Sequence, residues 1–321
     1  MKDTILYGDC RQTLPAFIDN AQMCVTSPPY YGLRDYGGKS EQIGQEQTPE
    51  EYIEEMVNVF RLVRDNLKDD GVLWLNIGDT YYNYRSDGNY PKQTVSKTNQ
   101  DLPSFSPARG NKLEGLKSKD LIGIPWMLAF ALRADGWYLR QDIIWHKPNP
   151  MPESVKDGCT KAHEYIFLLS KSKNYYYDNE SIKEPAKDWG TRDRTNGKYH
   201  NEGTGLTPHS GLTKSYPTKN KRSVWSITNK PYKGSHFATF PPDLIEPCIL
   251  AGSRKGDIVL DPFMGSGTTA MVAKQLGRYY IGCELNEDYR KLIEKRVTVN
   301  KVEQNASHSE TNGLIDLLGT V

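Results

Sequence analysis

Residues 258–269 read IVLDPFMGSGTT and lead into a helical pattern over Thr268–Leu276. The apolar run predicts a strand that ends near Asp261. Gly265 and Gly267 allow a tight turn and a close backbone approach to a ligand, because glycine has no Cβ. In an open α/β sheet such a turn lies at the carboxyl end of a strand, where ligands bind. No Gly-Lys-Ser/Thr follows, so the pattern does not fit a phosphate loop, whereas a dinucleotide-binding turn remains open.

An acidic residue follows on the next predicted strand. Residues 279–284 read YYIGCE, so Glu284 comes about twenty positions after the glycine turn. A carboxylate in this position can accept hydrogen bonds from both ribose hydroxyls of a nucleoside. The two motifs together predict a binding site for an adenosine-containing cofactor, and they leave open which cofactor it is.

A second motif, VTSPPY at residues 25–30, directly follows another apolar strand. Its two prolines fix φ and remove two backbone donors, so the turn is rigid. Ser27 offers a hydroxyl, Pro28 a carbonyl acceptor and Tyr30 an aromatic face. This set suits a planar ring that bears an amino group, such as a flipped-out DNA base. A plain structural turn is the alternative, and the presence of the glycine turn in the same chain favours a site.

Short apolar runs alternate with helical patterns along the chain, which predicts a mostly parallel sheet covered on both faces. The predicted strands are Thr4–Tyr7, Met23–Thr26, Val72–Ile77, Tyr138–Trp145, Tyr165–Leu169, Ile258–Leu260 and Tyr280–Cys283. The predicted helices are Pro49–Leu67, Leu121–Asp135, Pro242–Ala251, Thr268–Leu276 and Glu287–Val299.

Two polar segments, 81–119 and 181–235, interrupt this alternation. Structureless loops of such length are uncommon in compact domains unless they are functional. Segment 181–235 holds 11 lysines and arginines against 4 acidic residues, although the whole chain carries a net charge of only +1. Basic inserts on a more acidic body indicate contact with a polyanion, although solvated lysine-rich loops would look the same.

The composition is that of a globular protein: 321 residues, of which 25% are charged and 37% hydrophobic. No apolar run approaches the roughly 18 residues of a membrane span, and no secretion signal is visible. The five cysteines contain no C-x-x-C pair, which predicts reduced structural thiols and no metal site. We therefore expect a soluble, cytoplasmic protein without a membrane partner.

The two motifs resemble those of the β class of DNA amino-methyltransferases, in which the catalytic tetrad precedes the cofactor half in a circularly permuted order. The segments at 5–9, 145–150, 161–172 and 236–249 also match the pattern of this family. The resemblance covers most of residues 4–180 and 236–296. It implies a Rossmann-like α/β fold that depends on S-adenosylmethionine, with a mostly parallel seven-stranded sheet and a target-recognition insertion.

This resemblance divides the chain into a catalytic half (1–180, with the long loop 81–119), a recognition insertion (181–235), a cofactor-binding half (236–300) and a polar tail (301–321). The implied catalytic residues are Ser27, Pro28, Pro29 and Tyr30. The candidate cofactor-binding residues are Asp9, Asp261, Pro262, Phe263, Gly265, Ser266, Gly267, Thr268 and Glu284, with His236 at the start of the segment that holds the methionine end. The candidate DNA contacts are Lys214, Lys219, Lys221 and Arg222.

Three of the candidates have alternative interpretations. Asp9, which the resemblance places against the adenine of the cofactor, could instead be a turn residue. Asp79, in LNIGDTY after a predicted strand, points toward the same edge of the sheet and is a candidate for the cofactor pocket. It could equally be a cap or turn residue. His236, like His146 and His163, could instead be a structural histidine, since no ligand spacing supports a metal.

The tetrad also indicates the substrate. Within the family, SPPY after a threonine is usual for N4-cytosine enzymes, and DPPY or NPPY for N6-adenine enzymes. We therefore predict methyl transfer to N4 of a flipped-out cytosine in double-stranded DNA. N6-adenine is the first alternative. RNA or protein-glutamine methylation, a non-catalytic nucleic-acid-binding protein and a nicotinamide oxidoreductase are more distant ones. A cognate restriction endonuclease is a candidate partner, and the choice between monomer and homodimer stays open.

Overall fold

The fold is built on one eight-stranded sheet. The computed structural model describes residues 1–17, 21–32, 42–82, 113–154, 156–186, 217–229 and 240–298. The interior of the predicted long loop, most of the predicted recognition insertion and the polar tail lie outside these ranges. Domain boundaries in those segments therefore stay predictions.

The sheet contains all seven predicted strands and one more. In spatial order its strands are β1 (Thr4–Tyr7), β10 (Tyr279–Glu284), β9 (Ile258–Asp261), β2 (Ala21–Thr26), β3 (Leu67–Ile77), β5 (His163–Ser170), β4 (Tyr138–His146) and β8 (Val224–Ser226). Strand β5 runs antiparallel to both of its neighbours, and all other pairs are parallel. A separate two-stranded ribbon joins β6 (Glu184–Pro185) to β7 (Thr218–Lys219).

The eighth strand, β8, comes from the segment predicted to be the recognition insertion. Trp225 pairs with Trp145 on β4 and is 4% exposed. Its ring lies 6.3 Å from the ring of Trp74. Strand β8 extends the sheet beyond β4, and the buried indole covers part of the core. Part of segment 181–235 therefore belongs to the main sheet. The expected count of seven strands was therefore one too low.

Helices cover both faces of the sheet. One face carries α1 (Cys10–Thr13), α2 (Pro49–Asn66) and α3 (Ile124–Ala134), and the other carries α4 (Pro242–Gly252) and α5 (Thr268–Gln275). Residues 290–298 are helical as well. The predicted start of α2 is confirmed, because the Thr48 hydroxyl accepts the Glu51 N–H at 3.2 Å in a capping box.

The strand order brings distant sequence segments to one edge of the sheet. Strands β1, β10, β9, β2 and β3 are parallel, so their carboxyl ends lie side by side. The N-terminal strand β1 pairs with β10, nearly 280 residues away, in the register Tyr7↔Glu284. The loops that follow these strands therefore meet, as the resemblance to the permuted family implied.

Two further observations apply to the described ranges alone. No helix there is both long and apolar enough to cross a membrane. No group of three or more histidine, cysteine, aspartate or glutamate residues there is arranged to hold a metal ion. The five cysteines are unpaired, and all except Cys159 are buried.

Candidate active site

One cavity at the carboxyl edge of the sheet contains residues from both sequence motifs. It is lined by these residues proposed from sequence: Asp9, Ser27, Pro28, Pro29, Tyr30, Pro262, Phe263, Gly265, Ser266, Thr268 and Glu284. The cavity therefore brings the SPPY turn and the glycine turn together, although more than 230 residues separate them in the chain.

The glycine turn and Glu284 hold each other in place. Gly265 has φ 55° and Gly267 has φ 81°, values that favour glycine. The Gly265 N–H donates to Glu284 Oε2 at 2.7 Å, and the Asn286 N–H donates to Oε1 at 2.8 Å. The carboxylate is thus fixed from two sides while it still lines the cavity. A Cβ on Gly267 would stand 2.9 Å from Ile293, which explains why this position needs glycine.

Asp261 supports the turn from below and does not line the cavity. Its side chain accepts hydrogen bonds from the Thr26 hydroxyl at 2.6 Å and the Thr269 hydroxyl at 2.5 Å. It also accepts the Phe263 N–H at 3.0 Å. Burial raises the pKa of this carboxyl to about 6, even though the three hydrogen bonds act in the opposite direction. Asp261 therefore connects β2, β9 and the start of α5.

Asp9 reaches the cavity as the N-cap of α1. Its carboxylate accepts the Arg11 N–H at 2.9 Å and forms an ion pair with the Arg11 guanidinium at 2.7 Å. Arg11 in turn contacts Glu55 on α2 at 2.7 Å. Both Asp9 oxygens are therefore already bonded within the protein. An adenine contact by Asp9 stays a prediction, and its observed role is to fix the loop after β1.

The SPPY turn is held by a tyrosine from α2. The Tyr52 hydroxyl donates to the Pro29 carbonyl at 2.9 Å, and Gly44 lies close beneath the turn. Since proline has no N–H, the turn cannot be stabilised by donors of its own at residues 28 and 29. The Pro29 carbonyl is thereby bonded to the protein, and a substrate contact by the Pro28 carbonyl stays a prediction.

Tyr30 is anchored at its hydroxyl. The phenol donates to Glu164 Oε2 at 2.7 Å. Glu164 also forms an ion pair with Lys147 and accepts from Asn76 Nδ2 at 3.3 Å. Burial and the neighbouring Glu164 carboxylate raise the pKa of Tyr30 well above its usual value, so the phenol stays protonated.

Asp79 has a different position from the one proposed for the cofactor pocket. It does not line the cavity. Its carboxylate instead accepts the N–H groups of Gly123 at 3.0 Å and Ile124 at 3.1 Å, at the start of α3. Helix N-termini leave backbone donors unpaired, and a carboxylate satisfies them well. The structure thus agrees with the alternative interpretation of Asp79 as a cap.

The remaining candidates are only partly described. His236 and Lys214 lie outside the described residues. Lys219, Lys221 and Arg222 surround Glu184 at 3.9, 3.8 and 3.3 Å. They precede β8, which runs parallel to β4, so they lie toward the amino end of the sheet. DNA contacts by these residues stay predictions, and the Arg222 side chain is the most accessible of the three at 73% exposure.

Sequence reasoning missed two groups of residues at this edge. The cavity is also lined by Gly8, Cys10, Gln42, Ile43, Phe240, Met264, Leu285, Asn286 and Tyr289. The second group is Asn76, Lys147 and Glu164 behind Tyr30. The segments WHKPNP and KAHEYIFLLSKS matched the family pattern and contain Lys147 and Glu164, but only the pairing of β4 with β5 brings these two side chains together.

Comparison with known proteins is consistent with this geometry. A family model described as "DNA methylase" matches residues 21–295. The Type II methyltransferase M.SmaI of Serratia marcescens is 50% identical over 294 residues, covering 91% of this chain and 90% of the relative.

Solved structures have a similar fold. PvuII DNA methyltransferase (cytosine-N4-specific) aligns with a TM-score of 0.60 at 18% identity, covering 92% of this chain and 86% of the other. A putative DNA modification methylase from Thermus thermophilus, complexed with S-adenosyl-L-methionine, aligns with a TM-score of 0.55 at 23% identity, covering 91% and 92%.

Proposed function

Since the chain belongs to the DNA methylase family, whose methyl donor is S-adenosylmethionine, we propose that it methylates N4 of a flipped-out cytosine at a specific site in double-stranded DNA. The main observation that supports this proposal is the shared cavity, which is lined by Ser27 and Tyr30 as well as by Gly265 and Glu284. A methyl donor and an amino acceptor held there are adjacent, which is the main requirement for direct transfer.

The residues of the cavity fit the cofactor. Glu284 presents an oriented carboxylate that suits the ribose hydroxyls, and the glycine turn leaves room for a close backbone approach. Phe240, Phe263 and Tyr289 supply aromatic surface for an adenine ring. When it is bound, the sulfonium supplies an electrophilic methyl group.

The SPPY turn activates and holds the base. The lone pair of an exocyclic amino nitrogen is delocalised into the ring, so this nitrogen is a poor nucleophile. Hydrogen bonds from its two N–H groups to Ser27 Oγ and the Pro28 carbonyl draw it toward sp3 geometry, and the lone pair becomes available. Stacking on Tyr30 contributes roughly 1–3 kcal/mol to holding the base. This direct transfer needs no covalent intermediate with the protein.

Cytosine is preferred over adenine because of Ser27. A hydroxyl accepts from the amino group and can also donate, whereas a carboxylate only accepts. Within the family the SPPY tetrad is usual for N4-cytosine enzymes. N6-adenine methylation is the second candidate, since it uses the same cavity and the same amino-group chemistry. The relatives are Type II methyltransferases, so we also propose a restriction endonuclease with the same target as a partner.

Nucleoside analysis by mass spectrometry tests this proposal. The purified protein is incubated with unmethylated genomic DNA and S-adenosylmethionine, beside a Ser27→Ala/Tyr30→Ala variant. We expect N4-methylcytosine with the wild-type protein and none with the variant. Detection of N6-methyladenine would show that adenine, and not cytosine, is the substrate. If no methylated nucleoside is found on any DNA, the proposed activity is wrong.

A further inference from the structure

Gly265 and Ser266 form the tip of the glycine turn, and each is held by a side chain from another segment. The Gly267 N–H donates to the Met264 carbonyl at 3.0 Å, which closes a tight turn with these two residues at its centre. Glu284 holds the first of them, because it accepts the Gly265 N–H at 2.7 Å. The group that holds Ser266 comes from a helix in which the sequence motifs place no site residue.

Arg296 is the group that holds Ser266. Its Nη1 donates to the Ser266 hydroxyl at 2.5 Å and to the Ser266 carbonyl at 3.4 Å. Arg296 lies on the helix over residues 290–298, which also carries Ile293. Ile293 is 2% exposed, and a Cβ on Gly267 would stand 2.9 Å from it. This helix therefore supports the turn in two ways, by packing at Gly267 and by hydrogen bonds at Ser266.

The bond to Arg296 determines how the Ser266 hydroxyl can bond to anything else. A guanidinium has donors only, so the Ser266 oxygen must accept from it. A hydroxyl has one proton and two lone pairs, so its proton is left to a different acceptor, and a ligand in the cavity that Ser266 lines can supply one. The neighbouring cation also polarises the hydroxyl, which makes it a stronger donor to an anion. Ser266 therefore suits an anionic part of a ligand.

The strand order indicates which part of the cofactor lies over Ser266. Strands β10, β9 and β2 are neighbours, and their carboxyl ends carry Glu284, the glycine turn and the SPPY turn in that order. With the ribose at Glu284 and the base at the SPPY turn, the middle position is left for the sulfonium and its amino-acid arm. The carboxylate of this arm is the anionic group of S-adenosylmethionine.

We propose that Arg296 is a positioning residue that orients the Ser266 hydroxyl toward the amino-acid arm of S-adenosylmethionine. Arg296 does not line the cavity, so it acts through Ser266. The helix over residues 290–298 thereby takes part in recognition of the amino-acid arm and not of the adenosine part. This inference rests on the cofactor site of the proposed function, and it does not depend on which base is methylated.

Arg296→Met tests this role, because it removes the donors and keeps an apolar side chain. Two ligands are compared: S-adenosylhomocysteine contains the amino-acid arm, and methylthioadenosine lacks it. We expect the Kd for S-adenosylhomocysteine to rise roughly tenfold in titration calorimetry, and the Kd for methylthioadenosine, measured by competition, to change by less than about twofold. A general loosening of the site would weaken the binding of both ligands equally.

Lys295→Met is the matched control. It removes a positive charge from an exposed side chain of the same helix and should leave both Kd values unchanged. Ser266→Ala tests the connection itself. In this background Arg296→Met should cause little further loss of affinity for S-adenosylhomocysteine, since the hydroxyl through which Arg296 acts is absent. Arg296→Lys keeps a charged donor and is measured if Arg296→Met does not fold. It should show a smaller loss with the same preference between the ligands.

Three results would overturn the proposal: an unchanged Kd for S-adenosylhomocysteine in Arg296→Met, an equal loss for both ligands, or an undiminished loss in the Ser266→Ala background. Failure of the proposed function is a different result, because it is seen in the nucleoside analysis as absence of N4-methylcytosine while S-adenosylhomocysteine still binds. A wild-type protein that binds no S-adenosylhomocysteine would overturn the cofactor site and this inference together.

Discussion

Single residues at the site combine a chemical and a structural role through their hydrogen bonds. Glu284 offers its carboxylate to the cavity while its two oxygens accept N–H groups from the loops on either side. Asp261 has no contact with the cavity and connects three elements instead. Two carboxylates that look equivalent in the sequence thus have different roles, because different hydrogen-bond donors surround them.

Asp261→Asn tests the raised pKa of this buried carboxyl. The folded-state pKa of about 6 exceeds the ordinary value of 3.8, so protonation favours the folded state. Stability from this group is present at pH below about 4 and is lost as pH rises through about 6. Relative to the asparagine variant, the wild-type protein should lose up to about 3 kcal/mol of unfolding free energy over this range. Urea unfolding at several pH values measures this difference in unfolding free energy. If the free energies of the wild-type protein and the variant change in parallel with pH, the raised pKa of Asp261 is wrong.

Glu284→Gln tests the cofactor contact. One amide position becomes a donor that opposes either the Gly265 or the Asn286 N–H, so the side chain loses its fixed orientation as well as its charge. We expect the Kd for S-adenosylmethionine to rise roughly 10- to 100-fold by titration calorimetry, as expected when a charged hydrogen bond is lost. An unchanged Kd would show that the Glu284 carboxylate does not bind the cofactor.

Among the elements, helix α3 shows how a loop residue can substitute for a local cap. Its N-cap is Gly123 at φ 88°, which has no side chain to offer. Asp79, which follows β3, supplies the missing acceptor from 44 residues away. The helix was predicted to begin at Leu121 and begins at Ile124, because the backbone turns at Gly123 and Pro125 occupies the first turn.

Asp79→Ala distinguishes the cap from a cofactor ligand. Loss of the carboxylate leaves the Gly123 and Ile124 N–H groups without this acceptor, which should lower the unfolding free energy by roughly 1–3 kcal/mol. The Kd for S-adenosylmethionine should stay unchanged in calorimetry. A weaker affinity for S-adenosylmethionine without a loss of unfolding free energy would show that Asp79 is a cofactor ligand and not a cap.

The loop after β3 also sets the position of Tyr30. A Cβ at Gly78 would stand 2.7 Å from Tyr30 Cε2 and 3.3 Å from Glu164 Cγ. Gly78→Ala should therefore displace the ring and slow methylation by at least about tenfold, since small misplacements of reacting groups are costly. Cofactor affinity, measured beside it, should not change. A wild-type rate would show that the ring position is not critical.

For the whole molecule, charge is distributed unevenly between the body and the inserts. A net charge of +1 conceals the basic segment 181–235, of which the structure describes 181–186 and 217–229. In the described part, three cations surround the single carboxylate of Glu184, which leaves an excess of positive charge. Such an excess favours contact with phosphates, which gives affinity without sequence information.

DNA affinity should therefore depend strongly on salt, because bound phosphates release counterions. Fluorescence anisotropy with an unmethylated duplex, at several salt concentrations, measures the slope of log K against log salt. Arg222→Ala should reduce the slope by about 1 if this side chain contacts a phosphate. An affinity that does not respond to salt would contradict phosphate contacts by the inserts.

The sequence by itself determined the elements and both motif turns. Short apolar runs marked all seven predicted strands, because central strands such as β2 and β9 are buried on both faces. Apolar periodicity marked the main helices, because a surface helix buries one face. The glycines and prolines placed the turns, because their φ restrictions act locally. The predicted residues of those turns line one cavity, apart from Asp261 and Gly267, which support it from outside its lining. Their contacts with cofactor and substrate stay predictions.

Tertiary structure alone decided which polar side chains meet. The pairing of β5 with β3 and β4 brings Glu164 beside Asn76 and Lys147, and thus behind Tyr30. The short strand β8 joins the sheet through the burial of Trp225. Hydrogen bonds and ion pairs act over a few ångströms in space and leave no periodic trace in the chain, so their partners become visible only when the strand order is known.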